Sequence, residues 1–214
     1  MRPRVIVNCA MSVDGKIALE TRRQTRLSSE EDIARVHRLR NRCDAILVGI
    51  ETVLGDDPGL LVKAKYVRKA RRPLRVLLDS KGRTPPGAKA VSPDARTLIA
   101  VAGGPVPDRW GPNVEIFRAG PGPRVSLPAL LAELERRGVR SLLVEGGGET
   151  IWSFLRAGLV DRLMIYVGSL ALGGHGPTPC GGEGAQRLEE AVRLKLLGTR
   201  RMGDGVLLTY EPSG

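Results

Sequence analysis

Between Ser141 and Val167 the chain reads SLLVEGGGETIWSFLRAGLVDRLMIYV, and this stretch constrains the fold more than any other. Leu142, Leu143 and Val144 form a short apolar run, the pattern of a strand buried on both faces. Glu145 ends the run, and Gly146, Gly147 and Gly148 follow. The spacing of Ile151, Phe154 and Leu155 predicts a helix over Glu149 to Ala157, stopped by Gly158. Leu163 to Val167 read as the next strand. A strand, a triple-glycine turn and a helix N-terminus also suit a phosphate. Glycine lets an anion approach the backbone, and the first unpaired helical N–H groups point at it. The full G-x-G-x-x-G spacing is missing, so a plain tight turn fits equally well.

The same alternation runs through most of the chain. Strands are expected at Val5–Cys9, Ala45–Val48, Leu74–Asp79, Thr97–Ala102 and Val114–Phe117. Ser28 or Ser29 caps a first helix whose inner face carries Ile33, Val36, Leu39 or Arg40, and Cys43. Ser28 with Glu31 fits a capping box. Gly49 to Pro58 read as a strand end, one helical turn and an acidic turn. Ser126 caps a helix to Arg137, with Leu127, Leu130, Leu131 and Leu134 inward, and Gly138 ends it. This order predicts an α/β fold with a mainly parallel central sheet flanked by helices. Val192–Gly198 and Gly205–Tyr210 predict a C-terminal antiparallel hairpin on that sheet. Leu172–Gly184 reads as a loop, and 1–214 as one domain.

At 214 residues, 42% hydrophobic and 27% charged, the composition is that of a globular protein with an adequate core. No run is long and apolar enough for a membrane span. The opening MRPRVIVNCAMSVDG lacks an apolar signal region with a cleavage site, so a cytoplasmic location is expected. Cys9, Cys43 and Cys180 are too sparse for a disulfide framework. His37 and His175 stand far apart, and His175 with Cys180 lacks a second cysteine pair, so no metal site is expected. The net charge of +11 suits an anionic partner. With aromatics at 3% and basic residues scattered apart from a cluster at Lys63–Arg75, phosphorylated small molecules fit better than nucleic acid.

Four segments follow predicted strand ends: Ala10–Ala18, Gly49–Asp57, Asp79–Arg83 and Glu145–Thr150. In an open parallel sheet such ends gather on the edge where ligands bind. Ser80-Lys81-Gly82-Arg83 offers a hydroxyl, an ammonium and a guanidinium to a phosphate monoester, or is a solvated basic turn. Thr52 lies one helical turn before Asp56, so the two can share a face. Asp56 and Asp57 beside Pro58 also suit a bare turn. Glu145, at a buried strand end, needs a partner or a ligand. Arg40 either lays its stem along the apolar face or binds phosphate. Asp14, in an Asp-Gly turn, and Ser28, in a cap, have local roles that would explain them. No Ser/His/Asp or Cys/His arrangement supports nucleophilic catalysis, because both histidines lie outside these four segments.

Taken together, MSVDGKIA, RLSSEEDIARVHRLRNRCDAILVGIETVLGDDP, VLLDSKGR, LLVEGGGETIWSFLRAGLVDRLMIYV and GDGVLLTYE resemble the riboflavin-biosynthesis reductases, in order and nearly end to end. The likeness is to the archaeal-type branch acting on 2,5-diamino-6-ribosylamino-4(3H)-pyrimidinone 5′-phosphate. It implies a dihydrofolate-reductase-like fold, NADPH as cofactor, reduction of the ribosyl group to a ribityl chain, and a homodimer. It places cofactor contacts on Thr52, Asp56, Ser80, Lys81, Gly82, Arg83, Val125, Gly147, Gly148, Glu149 and Thr150. Substrate contacts fall on Ala10, Ser28, Arg40, Leu60, Lys63 and Glu145. The candidates for catalysis are Asp14 and Glu145. The zinc deaminase that precedes this domain in bacterial relatives has an H-x-E and P-C-x-x-C pattern, absent here because Pro179-Cys180 lacks the second cysteine.

Two departures matter. Relatives often carry Arg where Lys63 stands, which would replace a fork with a point charge. Glu149 puts a carboxylate at a phosphate-binding helix end, where its backbone N–H is the better contact. The alternatives are a reductase of the deaminated 5-amino-6-ribosylaminouracil phosphate, a pteridine-type reductase, and a basic nucleic-acid-binding protein.

Overall fold

The apolar runs do become strands. In the computed structural model, which describes residues 2–21, 25–107 and 109–213, the elements in chain order are β1 (Arg4–Ser12), α1 (Glu30–Arg42), β2 (Ala45–Gly49), α2 (Ile50–Asp56), β3 (Leu74–Leu78), β4 (Thr97–Val101), β5 (Val114–Arg118), α3 (Leu127–Arg136), β6 (Ser141–Val144), α4 (Gly148–Arg156), β7 (Arg162–Gly168), β8 (Leu194–Met202) and β9 (Gly205–Pro212). Short 3-10 turns lie at Ala64–Tyr66, Lys89–Val91 and Leu188–Glu190. Among the described residues the strands hydrogen-bond in the order β5-β4-β3-β2-β6-β1-β7-β9-β8. No described helix is long and apolar enough to cross a membrane. Two units interleave along the chain, Met1–Arg4 with His37–Leu143, and Val5–Val36 with Val144–Gly214.

In the first unit β2, β3, β4 and β5 pair in parallel, with Ala45 opposite Leu74, Arg75 opposite Thr97 and Thr97 opposite Val114. Every residue of β2 and β4 is buried, which is why AILVG and TLIAV show no polar alternation. Leu127, Leu130, Leu131 and Leu134 of α3 are buried, and the Ser126 hydroxyl accepts the Ala129 N–H as N-cap.

Arg75 corrects the expected basic cluster. It is fully buried. Its Nε donates to Thr97 Oγ1 at 2.9 Å, its Nη1 to Lys89 O and Ser92 Oγ at 3.1 Å each, and its Nη2 to Ala95 O and Ser92 O. All five guanidinium donors are thus spent on shaping the 89–97 connection.

In the second unit β1 runs parallel to β7, from Ile6 opposite Arg162 to Ser12 opposite Gly168. Ala10 to Ser12 are therefore strand, not the start of a loop. β9 pairs antiparallel with β7, and β8 with β9, giving the expected hairpin. Its first arm runs on to Met202, past a register shift between Leu196 and Gly198.

At the start of α1, Ser29 is the one of the two expected serines that caps, since its Oγ accepts the Asp32 N–H at 3.2 Å. The same hydroxyl donates to Met202 O at 3.1 Å, and Glu31 accepts the Gly203 N–H at 2.9 Å. Glu31 thus ties down the hairpin turn instead of closing a capping box.

Candidate functional site

In the first unit the loops leaving β3, β4 and β5 lock together. Ser80 Oγ accepts the Val125 N–H at 3.2 Å, so two of the expected cofactor residues meet directly. Ser80 O also accepts the Ala102 N–H at 3.2 Å. Gly82 has φ +63°, and a Cβ there would lie 2.9 Å from Val106 Cγ1, so glycine is required beneath Val106. Arg109 Nη2 donates to Gly82 O at 2.8 Å and Thr84 O at 3.0 Å, and Trp110 Nε1 donates to Thr84 O at 3.2 Å. From this fixed turn Lys81 and Arg83 stand exposed. Arg83 pairs with Glu51 at 2.5 Å, with both side chains about half exposed. Such a surface pair is weak and can be exchanged for a phosphate.

Thr52 and Asp56 lie one turn apart on α2, both half-buried, and burial raises the Asp56 carboxyl above its ordinary value. Asp57 has a structural task. It is the left-handed C-cap of α2 at φ 43°, its Oδ1 accepts the Lys89 N–H at 2.8 Å, and Lys89 Nζ lies 3.2 Å from its Oδ2. Leu60 has φ 51° and is 1% exposed. A left-handed leucine is strained, and at 1% exposure the residue as a whole is closed to solvent.

His37 gathers the cationic residues of this unit. Its Nδ1 accepts the Lys63 N–H at 3.3 Å, and its ring stacks on Tyr66 with centroids 4.8 Å apart. Arg40 Nη1 donates to Leu61 O at 3.1 Å, fastening the same segment. Burial, then the charges of Arg40, Lys63 and Lys65, push the imidazole down to about 4. The neutral ring therefore sits among three cations whose combined field suits an anion.

In the second unit the triple-glycine turn has two reasons for its composition. Gly147 is the N-cap of α4 at φ 84°, without a side-chain cap. At Gly148 a Cβ would lie 2.4 Å from Thr178 O, so the 176–182 loop, a protein segment, occupies the space expected for a ligand on that side. Gly182 packs near Glu149 Cγ and Trp152. Glu149 is exposed and Thr150 buried. At the uncapped helix start only the side away from the 176–182 loop is left for a pyrophosphate, and the exposed Ser80–Arg83 turn suits a phosphate monoester. Each unit thus carries one element whose chemistry suits a phosphate group.

Asp14 is a fastener. It accepts the Ser12 hydroxyl at 2.6 Å, the Leu172 N–H at 3.0 Å and the Gly173 N–H at 2.7 Å. The Ser12 bond, then the two backbone bonds, lower its carboxyl to about 2. A carboxylate held ionised by three hydrogen bonds is a poor proton donor near neutral pH, which weighs against Asp14 as the general acid. Ser28 Oγ donates to Asp32 Oδ2 at 2.7 Å. Asp32 in turn accepts from Arg35 Nε at 2.7 Å, and Arg35 Nη2 donates to Asn8 Oδ1 at 2.7 Å, all three buried. Ala10 lies half-buried on β1 opposite Tyr166, and Glu145 half-buried just past β6.

Sequence reasoning placed Asp79 only in a strand-end segment and missed Tyr66, Thr84, Arg109, the Asp32–Arg35–Asn8 chain and the part played by His37. Only the i, i+3 spacing of Asp32 and Arg35 carried a signal for any of them.

Residues 3–208 match the family described as the RibD C-terminal domain. The chain is 39% identical over 218 residues to a Methanothermobacter thermautotrophicus protein named 2,5-diamino-6-ribosylamino-4(3H)-pyrimidinone 5′-phosphate reductase, with 100% of both chains covered. It is 42% identical over 228 residues to the Archaeoglobus fulgidus protein of the same name, with 98% of each covered. A Thermotoga maritima structure, described as a diaminohydroxyphosphoribosylaminopyrimidine deaminase/5-amino-6-(5-phosphoribosylamino)uracil reductase, matches with TM-score 0.83 at 26% identity. That match covers 99% of this chain and 57% of the Thermotoga chain.

Proposed function

The chain belongs to the RibD C-terminal domain family and has its dihydrofolate-reductase-like α/β fold, and we propose on that footing that it is a single-domain, NADPH-dependent reductase of 2,5-diamino-6-ribosylamino-4(3H)-pyrimidinone 5′-phosphate. One observation carries this reading. The archaeal proteins that the chain matches along their whole length are named for reduction alone. The Thermotoga protein, which joins a deaminase to a reductase in its name, is covered over 57% of its length. The undeaminated pyrimidine is thus favoured as substrate over its deaminated counterpart.

The residues divide the work as follows. Gly147 to Thr150 would hold the cofactor's pyrophosphate, with the Glu149 contact made by its N–H. Lys81 and Arg83 would hold the adenosine 2′-phosphate, with Thr52, Asp56, Ser80, Gly82 and Val125 as further contacts. Arg40 and Lys63 would bind the substrate's 5′-phosphate. Glu145 would meet the pyrimidine edge and stays the candidate for a catalytic carboxylate. Ala10, Ser28 and Leu60 complete the substrate contacts.

The nicotinamide, when bound, supplies a hydride. The ribosylamine opens to its imine, C1′ takes the hydride and the nitrogen takes a proton, leaving the ribitylamino product. The chain contributes positioning and the exclusion of water.

A homodimer in the cytoplasm completes the proposal. Leu188, Leu194, Leu196 and Leu197 are exposed, at 38–79%, and three of them lie on the edge strand β8. An apolar edge of this kind suits cover by a second copy.

The test is NADPH oxidation with the diamino pyrimidine phosphate and its deaminated counterpart, side by side. Turnover of the diamino compound in preference supports the reading. Turnover of the deaminated compound alone would reassign the substrate, and turnover of neither would overturn it.

A further inference from the structure

We propose that Asp79 and Thr84 are positioning residues that preset the Ser80–Arg83 turn for the adenosine 2′-phosphate, and so set the preference for NADPH over NADH. This inference rests on the reading of that turn as the 2′-phosphate site. Asp79 and Thr84 are both fully buried at the two ends of the turn. Asp79 Oδ2 accepts both the Thr84 N–H at 2.6 Å and the Thr84 hydroxyl at 2.7 Å, and Asp79 O accepts the Gly82 N–H at 3.0 Å. Three bonds therefore close the turn on itself before any ligand arrives.

The cost of this device points to its purpose. Asp79 Oδ1 is buried with no hydrogen-bond partner among the described residues. A buried carboxylate with half its acceptor capacity unmet is a poor way to stabilise a turn. Short charge-assisted bonds do fix geometry tightly, however. Arg109 and Trp110 then hold the carbonyls of Gly82 and Thr84 from outside. Lys81 and Arg83 have long, mobile side chains, so their grip on a phosphate depends on where the backbone presents them. A fixed backbone lowers the ordering cost of each contact.

The experiment measures equilibrium binding of NADPH and of NADH to the full chain. Thr84→Val deletes the hydroxyl bond and Thr84→Ser keeps it. We expect Thr84→Val to weaken NADPH about tenfold, to change NADH less than about twofold, and Thr84→Ser to restore NADPH binding. Equal weakening of both cofactors, or no change in either, would overturn the proposal. Should Thr84→Val not fold by circular dichroism, Arg109→Met makes the same test from the outer clamp. A loss selective for NADPH of about threefold supports the proposal, and an equal or absent loss rejects it. The double substitution Lys81→Ala, Arg83→Ala separates the two levels. If it leaves the NADPH preference intact, the 2′-phosphate does not bind at this turn and the underlying reading fails as well.

Discussion

The carboxylate of Asp14 accepts the backbone N–H of Gly173 at 2.7 Å, joining segments 159 positions apart. Its carboxyl, lowered to about 2 from 3.8, contributes stability that is present above pH 3.8 and lost as pH falls toward 2. At working pH the group does not titrate. Asp14→Asn should therefore leave the shape of the pH profile of kcat unchanged between pH 5 and 9, while loosening the loop that begins at Leu172. Loss of a limb from that profile would restore Asp14 as the proton donor.

Arg40 holds Leu61 O at 3.1 Å and adds to the field that lowers His37. If Arg40 and Lys63 bind the substrate's phosphate, Arg40→Met removes a charge-assisted contact of roughly 1.5–3 kcal/mol. The KM of the phosphorylated substrate should rise at least about tenfold, with the KM of NADPH unchanged. The dephosphorylated substrate, assayed in parallel, should bind both forms alike. An unchanged KM for the phosphorylated compound would favour a pteridine-type reductase.

Gly148→Ala places a methyl 2.4 Å from Thr178 O. Backbone on both sides must shift, so a cost of about 1–3 kcal/mol is expected, read as a lowered thermal midpoint. Because the shift moves the Glu149 and Thr150 N–H groups out of place, NADPH affinity should fall with it. A variant of unchanged stability would mean that the 176–182 loop yields freely.

These cases show what the sequence could and could not carry. AILVG in β2 and TLIAV in β4 announce buried parallel strands because burial on both faces removes the polar alternation. The glycine turn and the Ser80–Arg83 turn were legible for the same local reason, each following such a strand. The job of Asp14 was not, because its partners Leu172 and Gly173 are remote and are backbone groups. Residue type does not report a bond to someone else's N–H. Arg75 misled for a related reason: its run of basic neighbours suggested a surface, yet five acceptors fold in around it. The α1 cap was legible only as a pair, since Ser28 and Ser29 are equivalent until Met202 and Tyr166 select Ser29, and the Ser28–Glu31 capping box does not form.

Exposed Leu196 on β8 gives the test of assembly. Leu196→Lys puts a charge on the proposed interface without touching a buried residue. Sedimentation should show a dimer for the unaltered chain and a monomer for the variant, with the thermal midpoint of the monomer still cooperative. A monomer in both would reject the homodimer.

The most direct measurement follows the hydride. NADPH deuterated at the transferable C4 position is incubated with the diamino ribosylaminopyrimidine phosphate, and the product is examined by NMR. The account predicts one deuterium on C1′ of a ribityl chain. Deuterium at any other carbon, or oxidation of the cofactor without label in the product, would contradict it.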